Sequence, residues 1–196
     1  MKLPLVSLRR RLAGLTLVEI LVGLGVLGIL IAIAVPSMAD LLERRRVIAA
    51  ADELAGILNY AKAETNSVGE QLVVRFEPDP NNRMSCAAVT TIGGFDSRCK
   101  CYLPVNNMCP NSSAKGLRAY QLPLDHVRFS AHATTWVSVA NQIKFVREQM
   151  NIGAEGFYLE VVGQKRGYTL RVQVNAAGRI KVCAPNGDMS GYSTCA

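Results

Sequence analysis

Three consecutive arginines, a glycine and a long apolar run holding one glutamate constrain this chain more than anything else in it. Arg9, Arg10 and Arg11 precede Gly14-Leu15-Thr16-Leu17-Val18-Glu19, and from Leu15 to Val35 the single charge is Glu19. An ionised carboxylate inside such a segment costs roughly 2.5–3.5 kcal/mol on membrane-insertion scales, so it requires a partner. Cleavage after Gly14 would create one. The new α-amino group on Leu15 is cationic at neutral pH and lies four residues from Glu19. When such helices pack side by side, the Glu19 carboxylate is placed to pair with the terminal amine of a neighbouring copy.

This pattern resembles the class III leader of type IV pilins and type II secretion pseudopilins. The resemblance implies that a prepilin peptidase cuts between Gly14 and Leu15 and N-methylates Leu15, and that Glu19 guides addition of the subunit to a filament. Leu15 stands where the family usually has phenylalanine. Five elements coincide: the basic leader, Gly14, Glu19, the apolar run and Pro36 closing it. Two simpler readings cover part of the pattern. Twenty-one residues from Leu15 to Val35, at about 1.5 Å each, suffice for an ordinary anchor across a bilayer core of roughly 30 Å. A secretory signal peptide would use Ser37-Met38-Ala39 as its small-residue cleavage site before Asp40. The signal-peptide reading leaves Glu19 unexplained, and the run exceeds the usual ~7–15 apolar residues.

The formal charge of +7 overstates how basic the mature chain would be. Lys2, Arg9, Arg10 and Arg11 lie in the leader, so cleavage leaves 18 of the 22 Lys and Arg against 15 Asp and Glu. That balance alone is not the composition of a polyanion binder. The leader charges also orient the segment, leaving everything after Pro36 outside the cytoplasm. Arg44, Arg45 and Arg46 then run against the orientation rule. Asp40 and Glu43 partly offset them, and lipid headgroups can accept them.

All six cysteines, Cys86, Cys99, Cys101, Cys109, Cys183 and Cys195, follow the anchor. An even count on the oxidising side of a membrane predicts disulfides, although six cysteines allow 15 pairings. Cys183 with Cys195 is the expected bridge, closing a loop rich in turn formers (Pro185, Asn186, Gly187, Asp188, Gly191). The pairing of the other four stays open. Cys99-Lys100-Cys101 lacks the spacing of a zinc knuckle, and His126 and His132 are not suitably placed beside it. No metal and no cofactor is expected.

The helical pattern continues beyond the apolar run. Val47, Ala51, Leu54, Leu58 and Ala61 recur at spacings of four and three, one face of an amphipathic helix. Arg45, Asp52, Glu53, Lys62 and Glu64 lie largely off that stripe. Pro36 is expected to kink the helix rather than end it, and Asn66, Ser67 and Gly69 supply the stop. The rest reads as β. Strands are expected at 71–76, 85–91, 117–121, 127–131, 143–147, 157–162, 168–174 and 179–183, with a turn at 77–82 and a cysteine-stapled loop at 95–116. The division is a leader at 1–14, a membrane half-helix at 15–35, an amphipathic half at 36–66 and a β-rich domain at 67–196. One long helix followed by antiparallel strands indicates an α+β fold, type IV pilin-like, with the sheet laid on the outer half of the helix.

The last two strands can be registered from the sequence. Leu170, Val172 and Val174 alternate with Arg171 and Gln173; Ile180 and Val182 alternate with Arg179 and Lys181. A three-residue loop Ala176-Ala177-Gly178, with Gly178 left-handed, sets Gln173 opposite Lys181 and Val174 level with Ile180. A one-residue slip would mix apolar and basic faces. The expected outcome is a basic patch of Arg171, Arg179 and Lys181, joined by Lys165 and Arg166 at the neighbouring turn. The stretch Asn175 to Cys183 also resembles the C-terminal strand of the GspH/FimT group of minor pilins and pseudopilins, whose Gly-Arg-X-Arg pattern appears here as Gly178-Arg179-Ile180-Lys181. In DNA-uptake members of that group the motif is implicated in binding DNA.

No nucleophile motif, phosphate-cradling glycine loop, HExxH or paired histidine ligands occur, so catalysis is not expected. The resemblance implies a structural subunit of a type IV pilus or type II secretion pseudopilus, anchored in the inner membrane with its domain in the periplasm. Its implied partners are other pilin or pseudopilin subunits through the helix, the prepilin peptidase, and the membrane. The alternative function is capture of DNA for uptake, which the basic patch favours because phosphate contacts need clustered Lys and Arg.

Overall fold

The computed structural model describes residues 16–78, 84–92, 99–110, 113–132, 141–147, 157–175 and 177–195, apart from the side chains of residues 36, 37, 77 and 78. It divides into two compact units, Met1–Ala39 and Asp40–Ala196. Helix α1, Leu17–Val68, contributes to both and is assigned without a break through Pro36. Its first part is apolar and exposed, and it is long and apolar enough to cross a membrane.

In the second unit the expected stripe is the buried face. Val47, Ala51, Leu54, Leu58 and Ala61 are all fully buried, together with Ala50 and Ile57. The helix runs two residues past the expected boundary at 66 and ends at the last of the three expected stop residues, Gly69. Gly69 closes it at φ 76°, and its N–H bonds to the Thr65 carbonyl at 3.1 Å, the single-bond left-handed cap for which glycine carries no steric cost.

Among the described residues eight strands follow, each near its expected position: β1 Leu72–Pro78, β2 Met84–Thr91, β3 Gly116–Pro123, β4 Val127–His132, β5 Gln142–Phe145, β6 Phe157–Gly163, β7 Thr169–Val174 and β8 Ile180–Cys183. They form two four-stranded antiparallel sheets rather than one, ordered β3-β2-β1-β5 and β4-β6-β7-β8. Most of the turn expected at 77–82 lies outside the described residues.

Both sheets turn apolar side chains onto α1. In β6, Phe157, Leu159, Val161 and Gly163 are buried while the residues between are not, the period of a strand covered on one side. The sheets meet at Phe76 and Phe157, ring centroids 5.8 Å apart, and at Tyr120 and Phe129, stacked at 6.0 Å. Strand β2 is buried on both faces. Ala87 and Val89 join the main core, whereas Cys86 and Ala88 pack with Cys101 and Met108 of the cysteine-rich segment. Disulfides Cys86–Cys101 and Cys99–Cys109 staple that segment over the outer face of β2.

Candidate assembly helix and basic surfaces

Gly14 and Leu15 lie outside the described residues. Immediately after them, Thr16 precedes α1 and its hydroxyl accepts the Glu19 backbone N–H at 3.2 Å. Thr16-Leu17-Val18-Glu19 has capping-box spacing, and Glu19 sits in the first turn. There the carboxylate lies at the positive end of the helix dipole, which stabilises an anion. Reading Glu19 by its charge alone misses Thr16, although the Thr-x-x-Glu signal before an apolar run is visible in the sequence.

Strands β7 and β8 pair as the alternation requires. Val172 faces Val182, Gln173 faces Lys181 and Val174 faces Ile180. The connecting loop closes through bonds from Asn175 N–H to the Arg179 carbonyl (3.1 Å), Gly178 N–H to the Asn175 carbonyl (2.8 Å) and Arg179 N–H to Asn175 Oδ1 (2.8 Å). Gly178 has φ 68°, and its carbonyl accepts Lys62 Nζ of α1 at 3.0 Å. Cys183 and Cys195 are disulfide-bonded, closing a 12-residue separation.

The five basic residues expected in one patch separate into three settings. Arg179, just before β8, and Lys181, within it, are exposed and make no ion pair among the described residues. Arg171 is half-buried and engaged: it pairs with Glu160 at 3.2 Å, and its guanidinium lies 4.0 Å from the Tyr158 ring centroid. A ring held on one face and a carboxylate on its edge leave that guanidinium little freedom to take a phosphate. Lys165 and Arg166 lie in the β6–β7 turn, at the far end of β7 from Arg179. Six strand residues at about 3.3 Å each put roughly 20 Å between those ends.

The β6–β7 turn is fixed to α1 instead. Glu43 is 4% exposed, and its Oε1 accepts the backbone N–H groups of Lys165 and Arg166, both at 2.9 Å. Asp40 accepts the Tyr168 hydroxyl at 2.9 Å and lies 3.7 Å from Arg166 Nε. The Tyr168 phenol is raised above its ordinary pKa, chiefly because its proton is held in the bond to Asp40. The contact therefore supports the fold in full below about pH 10, the ordinary phenol value, and its support is lost as pH climbs through the raised folded-state value.

His132 Nε2 lies 2.9 Å from Ser130 Oγ, and its ring stacks on Tyr158 at 5.0 Å. His126 is exposed in the β3–β4 turn. Among the described residues, no group of three or more His, Cys, Asp or Glu side chains is arranged to hold a metal ion, and no cysteine is free.

No family model matches the chain, and no curated protein does. Among solved structures it is similar to the minor pseudopilin EpsH from the type 2 secretion system of Vibrio cholerae. The two share 15% identity over 71% of this chain and 97% of that one, with a TM-score of 0.45. A likeness of that size carries no inference about function.

Proposed function

We propose that the chain is a minor pilin or pseudopilin, a subunit that enters a type IV pilus or type II secretion pseudopilus through its N-terminal helix. The observation that carries this reading is Glu19, placed in the first turn of a long exposed apolar helix and five residues after Gly14. A prepilin peptidase cuts after Gly14 and methylates Leu15. The segment up to Val35 crosses the inner membrane, and the domain from Asp40 onward stands in the periplasm. Filament neighbours then supply the amine that Glu19 pairs with.

Glu19→Ala tests the pairing. Removing the charge from the apolar segment makes insertion easier, so the variant is processed and retained in the membrane, yet it is missing from sheared filaments. Normal incorporation would refute the assignment of Glu19 to assembly.

A second reading, DNA capture, has one observation in its favour: Arg179, just before β8, and Lys181, within it, are both exposed. The engagement of Arg171 with Glu160 and Tyr158 reduces the cations available to it. Lys181 also supplies a point charge where the resembling motif has the bidentate fork of arginine.

A further inference from the structure

Arg44, Arg45 and Arg46 follow the apolar segment on the side that its leader charges assign away from the cytoplasm, where the orientation rule disfavours them. The fold adds two more cations at the same place. Because the Glu43 carboxylate holds the backbone N–H groups of Lys165 and Arg166, the β6–β7 turn sits against the helix one residue before Arg44. Gly163 permits this approach, since a Cβ at that position would run into Glu43 Oε1.

At 3.6 residues per turn, successive helical side chains diverge by about 100°, so the three arginines point in three directions. Arg44 donates to the carbonyl and hydroxyl oxygens of Ser190 in the C-terminal loop. Arg46 turns the other way, lining a groove with His126 and Tyr120. Arg45 is exposed between them, while Lys165 and Arg166, also exposed, occupy the Glu43 side. Five basic residues thus meet at one level of the helix, four of them exposed and Arg44 half-buried against Ser190. Asp40 takes the Tyr168 hydroxyl and pairs with Arg166 at 3.7 Å, Glu43 is engaged by the turn's N–H groups, and Asp125 and Asp188 are exposed acids on adjoining segments.

We propose that this ring is a collar for anionic lipid headgroups, a proposal that rests on the apolar segment spanning a membrane. Arg45 lies ten positions after Val35. That length tethers the ring within about 36 Å of the span even if fully extended, and about 15 Å as helix. Leu41 and Leu42, each 48% exposed, put apolar surface within two residues of Arg44. Apolar surface followed at once by long cationic side chains suits the hydrocarbon–headgroup boundary. The ring form matters too. Headgroups surround an emerging helix on every side, whereas a protein partner or a duplex meets it from one.

The test uses the full chain with its disulfides intact, one copy per nanodisc, in phosphatidylcholine alone or mixed with phosphatidylglycerol. Lysine acylation rates are read by peptide mass spectrometry, with Lys181 as the internal reference. Lys165 is expected to react several-fold more slowly in the anionic discs, Lys181 equally in both, and high salt should erase the difference. Arg45→Gln with Arg46→Gln should weaken the protection without changing the disulfide map. Inorganic phosphate added to phosphatidylcholine discs should not reproduce it. If it does, the site takes a free anion and the collar is overturned. Equal Lys165 rates in both discs, with the chain inserted in each, overturn the collar alone. Failure to insert into either removes the membrane reading and the collar with it.

Discussion

Glu43 accepts the backbone N–H of Lys165 at 2.9 Å across 122 positions of sequence. The same carboxylate oxygen takes the next N–H, that of Arg166. A buried anion with two such bonds is a strong clamp between a helix and a turn, because charged hydrogen bonds contribute about 1.5–3 kcal/mol each. Glu43→Ala leaves two N–H groups without that acceptor and is expected to destabilise the domain by about 2–4 kcal/mol. Gly163→Ala should also destabilise, because its new Cβ meets the Glu43 side chain. Chemical denaturation of both variants under oxidising conditions checks this, and wild-type midpoints would contradict it.

Cys183 and Cys195 close a short loop at the end of β8. Replacing both with serine should lower stability by about 2–3 kcal/mol, mainly by freeing the unfolded chain. Peptide mapping without reduction should recover the 183–195, 86–101 and 99–109 links from folded protein. Free thiols at any of these pairs would count against the arrangement.

Much of this architecture is legible in the sequence where one periodicity decides it. The Val47 to Ala61 stripe has a single helical solution. The β7–β8 register has a single alternating one, pinned by Gly178 in a left-handed turn. The helix end is blurred, since Asn66 and Ser67 are acceptable stops and only the Gly69 cap, two residues on, is used. Two sheets instead of one could not be read, because β1 pairs with β5 across some 65 intervening residues and nothing local encodes that pairing. Lys165 and Arg166 group with Arg171 in sequence, yet Glu43 and Asp40 draw them to the helix while Glu160 and Tyr158 hold Arg171 on the sheet face. The Cys86–Cys101 and Cys99–Cys109 links were equally hidden among the possible pairings.

If Arg179 and Lys181 contact phosphates, the protein should bind duplex DNA without sequence preference and with affinity that falls as salt rises. The slope should be about −0.9 per phosphate contact. Arg179→Gln with Lys181→Gln should flatten that slope and leave the fold intact, since both side chains are exposed. Lys115→Gln, exposed just before β3, serves as the control and should change little. Salt-independent binding, or equal loss in the control, would leave β8 as a solvated sheet face.

The intact mass of the protein extracted from its native membrane tests the central claim most directly. Processing after Gly14 predicts a chain that begins at Leu15, lacks the 14-residue leader and carries one additional methyl group on its terminal nitrogen. Gly14→Leu should return the full-length mass, because the peptidase requires a residue without a side chain at the cut. A mature chain beginning at Asp40 would contradict the account, since it would make the apolar segment a signal peptide and leave Glu19 with no filament to enter.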